Sequence, residues 1–248
     1  MNVLGSHDQA LVALSILIAV AASYTALDLA ARVPKSSGHA RNGWLAAAAL
    51  VLGGGIWAMH FIAILALHLS MPVSYDVGLT VLSFLLAVIA TGIALYAASH
   101  AAVGYGVAVF SGMFMGLGIV GMHYTGLAAM RMPGVLTHDT ILVGAAVVLA
   151  IGASMVAIWL AFRRHSIPQR LAGAVALGIG IAGMHYVAMA GVTFTPHEGP
   201  HATLGSEGSI GNVELVTVVS AATFAIVIIA LLAAMYDRRF AVLAEREA

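Results

Sequence analysis

Three nine-residue segments carry the side chains best suited to chemistry in this sequence. They are Gly53-Gly54-Gly55-Ile56-Trp57-Ala58-Met59-His60-Phe61, Gly116-Leu117-Gly118-Ile119-Val120-Gly121-Met122-His123-Tyr124 and Gly178-Ile179-Gly180-Ile181-Ala182-Gly183-Met184-His185-Tyr186. Their consensus is Gly-x-Gly-Ile-x-x-Met-His-(Tyr or Phe), and the histidines fall 63 and 62 residues apart. Recurrence at one period marks an internal repeat. A neutral imidazole is the commonest biological metal ligand. The thioether of Met59, Met122 or Met184 is soft and favours copper, above all Cu(I). Zinc takes His, Cys and carboxylate, and methionine suits it poorly. Calcium and magnesium require oxygen ligands. Cysteine is absent, so thiolate sites and disulfides are excluded. Three His and three Met in register therefore read as one copper site or more, with nitrogen and thioether ligands.

The elements that must position these residues follow from composition. Apolar types make up 62% of the 248 residues and charged types 8%, against about 45–50% and 25% in soluble domains. So few charges cannot cover a water-soluble surface. Ten Lys+Arg balanced by ten Asp+Glu leave no basic patch for nucleic acid. Seven apolar stretches are long enough to span a bilayer: Ala10–Ala31, Trp44–Leu69, Val77–Ser99, Tyr105–Met130, Thr140–Phe162, Leu171–Val192 and Val213–Tyr236. Backbone groups in hydrocarbon must bond internally, so these are helices. The fold is an all-α, polytopic bundle of three two-helix pseudo-repeats plus a seventh helix. Residues 1–240 form the membrane domain, and residues 241–248 a cytoplasmic tail or the start of a signalling helix. The segment before the first span holds Asp8 and no basic residue, unlike a signal peptide.

Nine of the ten basic residues (Arg32, Lys35, Arg41, Arg163, Arg164, Arg170, Arg238, Arg239, Arg246) fall on one side, and Arg131 on the other. Positive residues stay cytoplasmic, which puts the N-terminus outside and the C-terminus inside. The motifs then sit on helices 2, 4 and 6 in one orientation. Each histidine is expected eight or nine residues from its helix's outer end, in the outer half of the bilayer.

Helical geometry adds neighbours. Gly53, Gly116 and Gly178 lie two turns beneath the histidines on the same face, where they let the motif helices approach one another or leave room for a ligand. Met130 stands two turns above His123 and Met189 one turn above His185. Tyr124 and Tyr186 point farther round and pack or hydrogen-bond between helices. Gly112-x-x-x-Gly116 is a packing pattern. Asp28 pairs with Arg32 at i+4. Trp44, Tyr75 and Tyr236 suit an aromatic belt. His7 and His138 read as solvated loop residues, and His39 and His100 as interfacial.

At Met122-His123-Tyr124-Thr125 the chain resembles the MHYT domain, a bacterial integral-membrane sensor module with seven spans and Met-His-Tyr motifs near the outer ends of alternate helices. Met184-His185-Tyr186-Val187 departs from the signature by one residue, and Met59-His60-Phe61-Ile62 lacks the tyrosine. The resemblance covers residues 8–240. It implies copper-assisted sensing of a diatomic gas (oxygen, carbon monoxide or nitric oxide). It also implies a place in the bacterial inner membrane and signalling to cytoplasmic cyclic-di-GMP synthase or hydrolase, PAS or kinase domains; a homodimer is a further partner that the sequence leaves open.

Other functions compete. A covalently bound retinal needs a membrane lysine, and the one lysine, Lys35, is in a loop. Haem is the stronger rival, because two histidines on facing helices can ligate its iron. A copper permease needs a polar path across the bilayer, and the Met-His layer occupies the outer half alone. An inert bundle using the histidines for packing is the bland alternative. His197-Glu198-Gly199-Pro200-His201 matches the zinc-peptidase pattern literally, but Gly199 and Pro200 oppose the helix that pattern requires, so it reads as an outer loop. With no nucleophile–base pair or carboxylate dyad, the domain is not expected to be an enzyme.

Overall fold

The computed structural model describes residues 6–69, 72–100, 105–162, 166–196 and 208–246. The 197–201 segment therefore lies outside the described residues, as do Arg163 and Arg164. Seven helices among the described residues are long and apolar enough to cross a membrane. They are α1 (Gln9–Ala30), α2 (Gly38–Leu65), α3 (Val77–His100), α4 (Tyr105–Ala128), α5 (Thr140–Ala161), α6 (Ile167–Ala190) and α7 (Asn212–Arg246). The chain is a multi-pass, all-α membrane protein.

The helices carrying the motifs end earlier than hydropathy suggests. Hydropathy places the span ends at Leu69, Met130 and Val192, but α2, α4 and α6 stop at Leu65, Ala128 and Ala190. Beyond them the chain enters short extended segments: β1 (Ser74–Asp76), β2 (Met130–Arg131), β3 (Gly134–His138), β4 (Val192–Pro196) and β5 (Ser209–Gly211). These are apolar enough to read as helix, yet their backbone groups pair between segments. α2 and α6 also begin earlier than read, at Gly38 and Ile167. α7 runs through residue 240 without a break.

Helices α1 to α6 form a closed ring in chain order, with α6 packed back on α1, and α7 stands outside against α2. Two glycines in each motif make the ring close. Positions i and i+2 on a helix are about 200° apart, so they meet two different neighbours. A Cβ on Gly53 would lie 2.7 Å from the Ala87 oxygen of α3, one on Gly116 2.7 Å from Ile151 Cα of α5, and one on Gly178 2.9 Å from the Val20 nitrogen of α1. The second glycines face the other way. A Cβ on Gly55 or Gly118 would overlap Ala22 or Ala90, and one on Gly180 would lie 3.1 Å from Ala153 Cβ. The expectation that Gly53, Gly116 and Gly178 bring the motif helices together is therefore corrected: each seats a motif helix on an odd-numbered neighbour. Gly112 and Gly116 both meet α5, a packing role.

At the end of the bundle remote from the N-terminus, Asp28 accepts from Arg32 at 2.7 Å and also from Arg170 of α6. The i+4 pair is thus half of a clasp joining α1 to α6. The Arg32 guanidinium lies 5.0 Å from the Trp44 ring centre. Arg41 donates to the Ser99 carbonyl and to His100 Nε2, tying α2 to α3.

Candidate metal centre

The ring places His60, His123 and His185 together. Each sits five residues from its helix end, at Leu65, Ala128 and Ala190, or about 7–8 Å at 1.5 Å per residue. This is shallower than the eight or nine residues expected, because the helices give way to strands. The three stay at one depth. All three are buried, and the ring centroids are 4.8, 5.1 and 5.2 Å apart.

The nitrogens are arranged around a hub. His60 Nδ1 lies 3.1 Å from His185 Nδ1 and 3.1 Å from His123 Nδ1. One ring nitrogen carries either a proton or a single in-plane lone pair, so it cannot serve two such neighbours well. A shared cation satisfies all three lone pairs at once. Nitrogens each about 2.0–2.1 Å from one ion and roughly 100° apart lie about 3.1 Å from each other. Both spacings to His60 and the donor type of all three residues therefore fit a metal ion, and one nitrogen from each ring lies within 4.8 Å of the others. His60 Nε2, on the far side of its ring, is buried without a hydrogen-bond partner. It is cradled by Gly126 of α4, where any Cβ would overlap it. The corresponding residues in the other copies are Ala63 and Ala188.

Gly126→Ala is expected to push the His60 ring and weaken metal binding by about 10–100-fold, as disturbing a ligand's support does. Gly183→Ala, whose Cβ meets open space, should leave affinity unchanged. Chelator competition on both variants measures the difference, and equal affinities would remove the cradle from the account.

The flanking predictions resolve unevenly. Met59, Met122 and Met184 are buried, each one residue before its histidine. Met130 belongs to β2 and pairs with Tyr75. Its counterparts, seven residues past the other histidines, are Leu67 and Val192, which make equivalent pairings with His7 and His138. Pairing explains the position of Met130 without a ligand role. Met189 is half-buried at the end of α6, where the other copies have Ile64 and Leu127.

Sequence reasoning missed a roof over the trio. Before each odd helix stands an aromatic or imidazole residue followed by aspartate: His7-Asp8, Tyr75-Asp76 and His138-Asp139. The aspartates cap α1, α3 and α5 by accepting from backbone N–H groups of the first turn. Their own N–H groups donate to Ala66, Ala129 and Gly191, each six residues past a motif histidine. The preceding rings rest on the motif aromatics. His7 lies 6.5 Å from Tyr186, Tyr75 6.2 Å from Phe61 and His138 5.3 Å from Tyr124. His7 and His138, read as merely solvated, are exposed yet form part of this roof. Tyr75, read as belt, is buried in it, and burial pushes its phenol pKa up. The Arg131 guanidinium, 2.5 Å from Asp76, holds that carboxyl below the usual range. A doublet repeated every 68 and then 63 residues was the available signal, obscured by its variation between His and Tyr. As expected, Tyr186 bonds between helices, its hydroxyl lying 3.1 Å from Ser15 Oγ.

Below the trio the axis is apolar. Ile56, Ile119 and Ile181 lie one turn beneath the histidines, and Leu52, Met115 and Leu177 two turns beneath. All six are buried.

The model of the MHYT family, described as a bacterial signalling protein N-terminal repeat, matches residues 53–110 and 116–174. Each match starts at the first glycine of a motif copy. The chain belongs to the MHYT family. The copy beginning at Gly178 lies outside both matches, and the ring geometry makes it the third equivalent unit of this MHYT domain. The domain is 39% identical over 241 residues to the bifunctional diguanylate cyclase/cyclic di-GMP phosphodiesterase MucR of Pseudomonas aeruginosa, covering 95% of this chain and 35% of that protein. It is 37% identical over 196 residues to the cyclic di-GMP phosphodiesterase NbdA of the same organism, covering 77% and 25%. The signaling protein YkoW of Bacillus subtilis is 30% identical over 253 residues, covering 99% and 31%. The chain thus spans about a third or less of these relatives. No solved structure matches it.

Proposed function

We propose that this MHYT domain is a copper-binding membrane sensor. The observation that carries the proposal is the approach of His123 Nδ1 and His185 Nδ1 to within 3.1 Å of His60 Nδ1, with all three rings buried. His60, His123 and His185 would hold the ion, and Met59, Met122 and Met184 would supply soft sulfur beside it. With nitrogen and thioether donors and no thiolate, copper would bring a Cu(I)/Cu(II) couple and affinity for a diatomic gas. The protein's own part is to hold three imidazoles in place with ring-closing glycines, cover them with the aspartate-capped roof, and exclude water from beneath.

The layer of Ile56, Ile119 and Ile181 favours sensing over transport, since an ion path would need polar or ligating groups at that level. The side-by-side nitrogens favour a single ion over haem, whose axial ligands stand on opposite faces of a macrocycle. In the orientation given by the basic residues, the site opens toward the outside of the bacterial inner membrane. Output would pass through α7, which packs on α2 and begins at roof strand β5. By similarity to MucR and NbdA, its target would be cyclic-di-GMP synthesis or hydrolysis, while the membrane domain itself senses rather than catalyses.

Metal analysis of purified protein tests the centre. The wild type is expected to retain copper and the His60→Ala/His123→Ala/His185→Ala variant to lose it while remaining folded. Equal copper in both would refute the reading.

A further inference from the structure

The roof is threefold in backbone but not in chemistry. Beneath it the axis is blocked by two apolar layers, so an ion bound for the trio must come past the roof. Each of the three outward approaches consists of one roof ring resting on one motif ring. At the first, Tyr75 is buried against Phe61 and Trp57 completes an apolar face, with Trp57 5.1 Å from Phe61. At the third, His7 meets Tyr186, whose hydroxyl is already engaged by Ser15.

The second approach differs. His138 is exposed and lies 5.3 Å from Tyr124, which lies 4.9 Å from His123. The Tyr124 hydroxyl and His123 Nε2 are both buried without a hydrogen-bond partner. Each would cost free energy if left unpaired, so two such atoms on adjacent residues beside the exposed His138 ring point to something polar that visits them. Among the described residues, this approach alone presents an exposed imidazole followed by two buried atoms still free to bond.

We propose that His138, Tyr124 and the outer edge of His123 form the loading port through which a metal ion reaches the trio from the outer face. The proposal rests on the metal reading of the trio. His138 captures the hydrated ion at the surface. The Tyr124 hydroxyl and His123 Nε2 hydrogen-bond the water it still carries as it passes the roof. The ion then exchanges that water for the Nδ1 lone pairs. His138 and Tyr124 are positioning residues for entry and are not ligands of the final site.

The first repeat supplies the design of the test. The double variant His138→Tyr/Tyr124→Phe copies the Tyr75–Phe61 pair that the same fold already accommodates. Tyr124→Phe alone removes a hydroxyl with no partner, so it should fold at least as well as the wild type. Detergent-solubilised full-length protein is mixed with a coloured Cu(I)–bicinchoninate complex, and the rate of colour loss is followed alongside the final copper content. The double variant is expected to load at least about tenfold more slowly, the scale on which a polar approach raises local ion concentration, and to reach the same final content. Tyr124→Phe should be slowed in the same direction, whereas His7→Tyr and His68→Ala should load at the wild-type rate. Unchanged loading in the double variant, or equal slowing by His7→Tyr, would overturn the port. Failure of the wild type to take up any copper would instead overturn the metal reading itself.

Discussion

His60→Ala is expected to abolish high-affinity copper binding, and to do so more completely than His123→Ala or His185→Ala. The trio has a hub: both 3.1 Å nitrogen contacts involve His60 Nδ1. Removing His123 or His185 leaves one such pair, able to hold Cu(I) between two imidazoles. Removing His60 leaves two imidazoles with no such contact between them. The loss should exceed the roughly 10–100-fold that follows when a ligand's supporting partner is removed. Competition against a graded series of Cu(I) chelators would rank the three variants, with thermal melting of the metal-free proteins as the control for folding. Should His60→Ala hold copper as tightly as His123→Ala, the hub arrangement is wrong even if the trio binds metal.

Gly116→Val is expected to open the ring and lower stability by at least about 1–3 kcal/mol, the usual cost of forcing extra volume into a packed interior. The first added atom would lie 2.7 Å from Ile151 Cα and 2.8 Å from its nitrogen. Backbone cannot rotate away as a side-chain end does, so α4 must move from α5 along its length. The motif histidine seven residues on would move with it, and copper affinity should fall together with stability. Gly144→Val is the matched control, since a Cβ there meets nothing within 4 Å and the residue faces outward. Comparable melting temperatures in detergent for the two variants would show that the close approach does not hold the ring together.

Much of this was legible in the sequence because helix periodicity converts spacing directly into depth and face. Three Met-His pairs two spans apart had to lie at one level. The glycines two turns away were legible as close contacts, but their partners were not, since spacing along one helix does not say which helix is adjacent. Ring closure between α6 and α1 is a long-range property that no local window contains. The helix ends were misread for a different reason. Leu67, Met130 and Val192 are as apolar as any membrane residue, and hydropathy does not distinguish a strand buried under a roof from one more turn of helix. The roof itself was hidden by substitution: His7, Tyr75 and His138 share a position and a ring shape but not a residue type.

One feature of the fold has a mechanical consequence. α7 meets the rest of the domain at Gly211, where β5 pairs with Ser74 of the roof, and along α2, where Ile226 meets Gly54 six residues below His60. These anchors are 15 residues apart along a helix that continues 20 residues beyond the second, to Arg246. At 1.5 Å per residue they are about 22 Å apart, with about 30 Å of helix beyond the second. In the proposed sensor the roof would act as a fulcrum and α7 as a lever. A small sideways slip of α2 beneath the roof would appear at the far end enlarged about twofold, while a uniform swelling of all three repeats, carrying roof and α2 together, would leave the lever's angle unchanged. α7 packs chiefly on α2, so a signal from the proposed threefold centre would leave it along one of three spokes.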